Sequence, residues 1–336
     1  MREKIYPHGK IINADVLEGL KSLEDESIDC VITSPPYWQL RDYGYPEQWG
    51  LEPTFQEYLE HLWQMMDEVY RVLKPGGTVW INLGDTYSTQ SGNSRGKKYD
   101  VDNKFNNVMA GETLLKGDLD MPSKCLMLIP HRFAIGCIEH GWILRNDIIW
   151  AKPNGMPESV TDRFSKKHEF IFFFTKQQKY FFDLDAVREP HKEDSIKRAA
   201  RAHKGLKTHG AVYGANWDQE NVGYQNLDER LANGELRMVN TNGKNPGDVS
   251  DFWAITTKPS SAKHYATFNN ELISKPILAG CPEGGIVLDP FAGTGTTLLY
   301  AHDLGRKFIG VEASEKYFND TVERMDQHFG LFMDAK

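Results

Sequence analysis

Hydrophobic and polar positions run along this chain in two rhythms, short apolar stretches and apolar residues at helical spacing. Residues 10–15, Lys-Ile-Ile-Asn-Ala-Asp, read as a short strand ending in an acid and leading into a helix. Residues 27–33 form a second apolar strand, stopped by Ser34-Pro35-Pro36 because neither proline can donate to a sheet ladder. Residues 54–73 carry apolar side chains at helical spacing, and Pro75-Gly76-Gly77 is predicted to end that helix before a strand at 78–83. Further strands are predicted at 143–150 and 169–175. From about 189 to 250 the rhythm is lost to Asn-rich and Gly-rich sequence that opens on a basic stretch. It returns with a strand at 286–289, a Gly-rich turn, a helix through about Leu304 and a strand at 307–311 leading to Glu312. This alternation predicts an α/β fold built on a doubly wound, mostly parallel sheet. The expected organisation is a first part at 1–188 with a long polar loop at 88–124, an insert at 189–250, and the remainder of the first domain at 251–336. No internal repeat is visible.

Composition narrows the class without changing this picture. The 336 residues suffice for one large domain with a smaller insert, and 40% hydrophobic with 26% charged residues is the balance of an ordinary soluble enzyme. No apolar run approaches the roughly 20 residues that span a bilayer, and Met1 to Tyr6 lacks a secretory pattern, so a cytoplasmic protein without a membrane partner is expected. Cys30, Cys125, Cys137 and Cys281 lack the close pairing that zinc or a redox dithiol requires, and are read as reduced thiols. The net charge of -8 argues against nucleic acid in sum, but its distribution does not. Lys192, Lys197, Arg198, Arg201, Lys204 and Lys207 crowd one stretch, and Lys97-Lys98 and the Arg163 to Lys167 segment add shorter basic clusters.

Two motifs carry the chemistry. Asp289-Pro290-Phe291-Ala292-Gly293-Thr294-Gly295-Thr296-Thr297 stands at a strand-to-helix junction, where glycines let a ligand approach the backbone. No lysine follows Gly295, which disfavours a nucleoside triphosphate, and Leu298 replaces the third glycine of a dinucleotide fingerprint. Glu312 ends the next strand, where an acid accepts hydrogen bonds from ribose hydroxyls, so an adenosine-containing ligand fits. The second motif is Thr33-Ser34-Pro35-Pro36-Tyr37-Trp38. Its prolines fix the backbone and leave carbonyls as acceptors. Acceptance of the N–H bonds of an exocyclic base amine by Ser34 Oγ and the Pro35 carbonyl would localise the amine's lone pair, while Tyr37 and Trp38 would stack on a base swung out of the duplex. Each motif alone also has a plain structural reading, as a tight turn or a proline-rich strand cap.

Together the motifs resemble the amino-group DNA methyltransferases of bacterial and phage modification systems. In that resemblance DPFAGTGTT is the cofactor motif and TSPPYW the catalytic one. The catalytic motif comes first, as in the permuted beta arrangement, with the target-recognition region between the two halves. The likeness extends to Leu73 to Gly77, to Ile148 to Asn154 with Met156-Pro157, to His168-Glu169 and to Tyr180 to Asp183, but not to residues 189–250. It implies a Rossmann-like fold and S-adenosyl-L-methionine bound by Asp289, Pro290, Phe291, Ala292, Gly293, Thr294, Gly295 and Glu312, with Asp15 towards the adenine and Phe268 against the methionine portion. It implies catalysis by Ser34, Pro35, Pro36 and Tyr37 on double-stranded DNA, and Trp38 with the basic clusters at Lys97, Lys98, Arg163, Lys197, Arg198 and Arg201 are the expected DNA contacts. In the family, Ser at the head of the catalytic motif is common in enzymes acting on cytosine and Asp or Asn in those acting on adenine, so Ser34 points to N4 of cytosine, with N6 of adenine as the alternative. RNA or protein-amide methylation and a non-catalytic DNA-binding module are the remaining rivals. Direct transfer needs no metal. A separately encoded restriction endonuclease is the companion such systems imply, and the sequence leaves monomer and homodimer both open.

Overall fold

The computed structural model describes residues 1–45, 48–88, 121–188, 251–257 and 270–333. Two compact units emerge, one comprising Met1–Asp183 with Asp251–Lys336, the other Leu184–Ser250. Within the second, the described residues contain one 3-10 turn, Asp185–Val187, followed by Arg188, whose guanidinium pairs with Asp185 at 2.5 Å.

The first unit is built on a nine-stranded sheet. Its strands are β1 (Arg2–Tyr6), β2 (Gly9–Asn13), β3 (Ile28–Thr33), β4 (Leu73–Leu83), β5 (Ile143–Ala151), β6 (His168–Thr175), β7 (Phe252–Ala254), β8 (Ile286–Asp289) and β9 (Lys307–Glu312), in the order β1-β2-β9-β8-β3-β4-β6-β5-β7. The run from β2 to β4 is parallel throughout, while β1, β6 and β5 join by antiparallel pairing and β7 adds a parallel edge. Helices α1 (Val16–Lys21), α2 (Phe55–Val72) and α3 (Ile129–Glu139) share one hydrophobic cluster, and α4 (Asn270–Gly280), α5 (Thr296–Asp303) and α6 (Glu315–Met333) contribute to another. Alternate strand residues divide between them. Val31, Phe172 and Phe174 belong with Leu62, Met66 and Phe133, whereas Ile32, Phe173 and Trp80 belong with Ile273, Ile277 and Leu298. Burial of both faces explains why the central strands read as continuous apolar runs.

Thr54 starts α2 through a capping box with Glu57, satisfying two N-terminal N–H groups, and the helix ends at Val72. Pro75-Gly76-Gly77 therefore does not separate a helix from a strand, as its composition suggests; it lies inside β4, which begins at Leu73. The register explains how: Ile28 pairs with Leu73 but Cys30 with Thr78, so the extra residues form an irregular bulge. The Gly76 carbonyl is satisfied there by the Phe181 N–H at 2.9 Å.

Candidate active site

Parallel pairing of β3 with β8, Cys30 against Val287 and Val31 against Leu288, makes both motif loops leave the same edge of the sheet. They are joined by a side-chain bond across 256 residues of sequence: Thr33 Oγ1 donates to Asp289 Oδ1 at 2.6 Å. The Phe291 N–H donates to the same oxygen at 3.1 Å. Asp289 is buried, and burial pushes its carboxyl up to about 6 despite these donors.

Beyond Asp289 and the buried Pro290 the chain makes a tight turn. Ala292 N–H donates to Val311 O and Gly295 N–H to Ala292 O, at 2.9 and 2.8 Å. Gly293 and Gly295 have φ of +54° and +72°, the left-handed region that glycine occupies without a Cβ penalty. Their surroundings differ. A Cβ on Gly295 would stand 2.6 Å from Thr321 Cγ2, whereas one on Gly293 would meet nothing nearer than the Phe291 carbonyl at 4.0 Å. Gly293 thus has an open side, with Phe291 half-buried and Ala292 and Thr294 buried beside it. Helix α6 props the turn: Thr321 Oγ1 donates to Gly293 O at 2.6 Å, and Arg324 Nη1 donates to Thr294 O at 2.9 Å and to Thr296 Oγ1 at 3.0 Å.

Glu312 ends β9 with its two carboxyl oxygens accepting from Gly293 N–H and Ser314 N–H, each at 2.8 Å. Burial raises its carboxyl to about 7. A carboxylate offers about four acceptor positions, so two of these remain for a ligand. Asp15 follows β2, the strand beside β9, and caps α1 by accepting from Leu17 N–H at 2.9 Å. Asp15 and Glu312 both act on the half-buried Tyr45 phenol, which is raised chiefly by desolvation and then by Glu312.

The catalytic-motif residues gather beside this turn. Ser34 Oγ lies 3.4 Å from Tyr37 Oη, and the Tyr37 hydroxyl donates to Glu169 Oε2 at 2.8 Å, with Asn82 Oδ1 at 3.1 Å. Glu169 in turn pairs with Lys152, whose ammonium lies 4.2 Å from the centre of the Trp150 ring. Burial, then the charge of Glu169, keeps the Tyr37 phenol well above its ordinary pKa and hence neutral. Pro36 O accepts from Tyr58 Oη at 2.8 Å, while no described residue donates to Pro35 O. A Cβ at Gly84 would stand 2.7 Å from Tyr37 Cε2, so glycine is what lets the ring lie against the end of β4. Asn82, Glu169, Thr321 and Arg324 do not announce themselves as site residues in the sequence, because their proximity depends on strand register and helix docking.

Trp38 departs from its expected stacking role. It is 2% exposed, donates Nε1–H to Glu52 O at 2.9 Å and packs edge-on against Phe55, so it supports the loop from within. Arg163 is committed within the protein: its guanidinium pairs with Glu158 and covers the Tyr87 ring at 3.9 Å, which leaves the expected phosphate contact without support. Phe268, Lys97, Lys98, Lys197, Arg198 and Arg201 lie outside the described residues.

Known proteins resemble this chain. The Serratia marcescens type II methyltransferase M.SmaI is 34% identical over 94% of this chain and 90% of its own length. The Xanthomonas campestris pv. cyanopsidis type II methyltransferase M.XycI is 37% identical over 94% of this chain and 87% of its own length. Among solved structures, PvuII DNA methyltransferase (cytosine-N4-specific) superposes with a TM-score of 0.58 at 18% identity, over 94% of this chain and 85% of the other. A putative DNA modification methylase from Thermus thermophilus, complexed with S-adenosyl-L-methionine, does so with a TM-score of 0.52 at 23% identity, over 95% and 93%. These two likenesses establish the fold. The sequence profile of the N6_N4_Mtase family, DNA methylases, matches residues 28–323, and with it the chain belongs to that family of amino-group DNA methyltransferases.

Proposed function

We propose that the chain transfers a methyl group from S-adenosyl-L-methionine to the exocyclic N4 amine of cytosine in duplex DNA. The observation that carries this reading is the placing of Ser34 and Tyr37 beside the Gly293 and Glu312 cradle, with Thr33 and Asp289 bonded between them. The cradle fits the donor: Gly293 presents an open backbone, Glu312 retains acceptor capacity for ribose hydroxyls, and Asp15, at the neighbouring strand end, is assigned to the adenine. When bound there, S-adenosyl-L-methionine supplies an electrophilic methyl group on a sulfonium.

The protein's own part is to hold the amine and exclude water. The base is swung out of the duplex, since an exocyclic amine paired inside the helix is not available for attack. Ser34 Oγ and Pro35 O accept its two N–H bonds and turn the lone pair towards the methyl group, and Pro36 fixes the loop that aims them. Tyr37 stacks on the base as a neutral ring, its hydroxyl held by Glu169 and Asn82. Lys152 compensates the Glu169 charge and so keeps that acceptor in place. Positioning supplies the rate, and the proton leaves the amine after transfer. Ser34 at the head of the motif favours cytosine N4 over adenine N6 by the habit of the family, in which Ser there is common in enzymes acting on cytosine. The region at 189–250 is assigned to target recognition on the cluster of lysines and arginines at 192–207, with Lys197, Arg198 and Arg201 on phosphates, and a restriction endonuclease encoded separately is the companion.

The test is mass spectrometry of nucleosides from unmethylated DNA of diverse sequence, incubated with the protein and methyl-labelled S-adenosyl-L-methionine. Labelled N4-methylcytosine that disappears with Ser34→Ala is the expected result. Labelled N6-methyladenine would overturn the base assignment, and no labelled nucleoside would overturn the substrate.

A further inference from the structure

Between β5 and β6 the chain makes a loop, residues 152–167, that rises from the rim of the candidate active site. Its first residue, Lys152, pairs with Glu169, the acceptor of the Tyr37 hydroxyl, and near its end Lys166 Nζ donates to the carbonyl of Asp85, the neighbour of Gly84. The loop is tied down internally and at its base. Asn154 exchanges bonds with Thr257 at 2.7 and 2.9 Å, Glu158 N–H donates to Ser165 Oγ at 3.3 Å, Arg163 pairs with Glu158, and Lys152 N–H donates to Lys167 O at 2.8 Å.

Phe164 lies in the middle of these ties and is 96% exposed. No other large hydrophobic among the residues whose exposure is described exceeds 73%. Both its neighbours are held, Arg163 by Glu158 and Tyr87 and Ser165 by Glu158, and the Arg163 guanidinium also donates to the Phe164 carbonyl at 3.0 Å. The exposure is therefore built into an ordered loop and is not the fraying of a loose one. Single hydrophobic side chains on a surface are ordinary, so exposure alone assigns Phe164 no role; what singles it out is a fully presented ring held by its neighbours' bonds in a loop anchored beside the site. Phe164 is two residues from Lys166, within about 7 Å of chain from a residue anchored on Asp85. Lys167 beside it is exposed and positively charged. An apolar ring three residues from the exposed cation Lys167, beside a site that needs an extruded base, has the chemistry of a side chain that inserts between base pairs.

We propose that Phe164 enters the DNA stack beside the target and holds the duplex open while the base occupies the site; this rests on the reading of the chain as a methyltransferase of duplex DNA. Phe164 is a positioning residue here, acting on the duplex and not on the reacting atoms.

The experiment compares wild type, Phe164→Ala and Phe164→Leu on two duplexes carrying the sequence at which labelled methyl groups map. In one the target base is normally paired, and in the other it faces an abasic site, which removes the pairing that extrusion must break. Phe164→Ala is expected to lose about 10- to 100-fold in turnover on the paired duplex and to recover to within about threefold of wild type on the abasic one. Phe164→Leu, still an apolar wedge, retains most of the activity on both, and the affinity for S-adenosyl-L-methionine measured by calorimetry is unchanged in all three. Wild-type turnover by Phe164→Ala on the paired duplex would overturn the proposal, as would an equal loss on both duplexes, which marks a packing defect. Wild-type protein that methylates neither duplex overturns the underlying function and the wedge with it, an outcome distinct from a wild-type enzyme indifferent to Phe164.

Discussion

Thr33→Val tests the bond that joins the two halves of the site. Valine matches threonine in shape and strand preference, so the substitution removes the 2.6 Å donor to Asp289 and little else. Asp289 is buried, and its rise from 3.8 to about 6 corresponds to about 3 kcal/mol against the ionised form. Thr33 acts in the opposite direction, favouring the carboxylate, so removing it raises the carboxyl further. A hydrogen bond to a charged group contributes about 1.5–3 kcal/mol and a neutral one about 0.5–1.5 kcal/mol. The sign follows from linkage. A carboxyl whose folded pKa is raised binds its proton more tightly in the folded state, a contribution fully present below about 4 and lost as pH rises through 6. Urea unfolding at pH 8, where Asp289 is ionised, should therefore show Thr33→Val less stable than wild type by about 1.5–3 kcal/mol, and at pH 5 by about half as much. The same loss at both values would refute the claim that the bond serves the Asp289 charge, and a loss below about 0.5 kcal/mol at pH 8 would refute its structural weight.

Three further substitutions probe separate parts of the site. Gly84→Ala places a methyl group 2.7 Å from Tyr37 Cε2 and should lower turnover on DNA about 10- to 100-fold by displacing the ring, with cofactor affinity by calorimetry unchanged; undiminished turnover would remove Tyr37 placement from the mechanism. Gly295→Ala combines a φ of +72° with a Cβ 2.6 Å from Thr321 Cγ2 and should cost about 1–3 kcal/mol by calorimetric or denaturant unfolding, whereas wild-type stability would show that the turn relaxes. Glu312, raised to about 7, contributes stability that is full below its ordinary 4.5 and fades as pH rises through 7. Without cofactor, the fall in thermal midpoint between pH 5 and 8.5 should become shallower in Glu312→Gln, and an unaltered slope would show that Glu312 does not titrate there.

Much of this architecture is legible in the chain because the central strands are buried on both faces and so write themselves as unbroken apolar runs. The glycines of the 289–297 motif are legible too, since positive φ at Gly293 and Gly295 and the close approach of Thr321 leave no room for another residue type at Gly295. Pro75-Gly76-Gly77 misleads because composition reports a break in regular hydrogen bonding without saying on which side of a strand boundary it falls; here the break is a bulge within β4. Trp38 misleads for a different reason. In an irregular turn adjacent aromatics need not share a face, and Trp38 is drawn into the core by Glu52 and Phe55 while Tyr37 reaches Glu169. The roles of Glu169 and Asn82 stay hidden because their meeting depends on antiparallel register, Leu83 against Phe170, which the residues themselves do not announce.

The same physics explains why the order of the two motifs along the chain is immaterial to the chemistry. A sheet ladder is indifferent to the sequence separation of its strands, so β3 and β8 pair as neighbours although about 250 residues intervene. What a site of this kind requires is that both turns leave one edge, which parallel pairing provides, and that their relative height be fixed. Backbone pairing alone tolerates slippage where a strand is short, and β8 has only four residues. The Thr33–Asp289 bond sits just beyond the paired segment and sets the register at the point where the loops diverge. Because its acceptor is a buried carboxyl that the site raises towards neutrality, slippage would strand an aspartate without its donor, a penalty that grows as the pH rises. A polar pair in an otherwise apolar core thus serves alignment, and the two motifs face one another at the spacing the reaction needs whichever comes first in the gene.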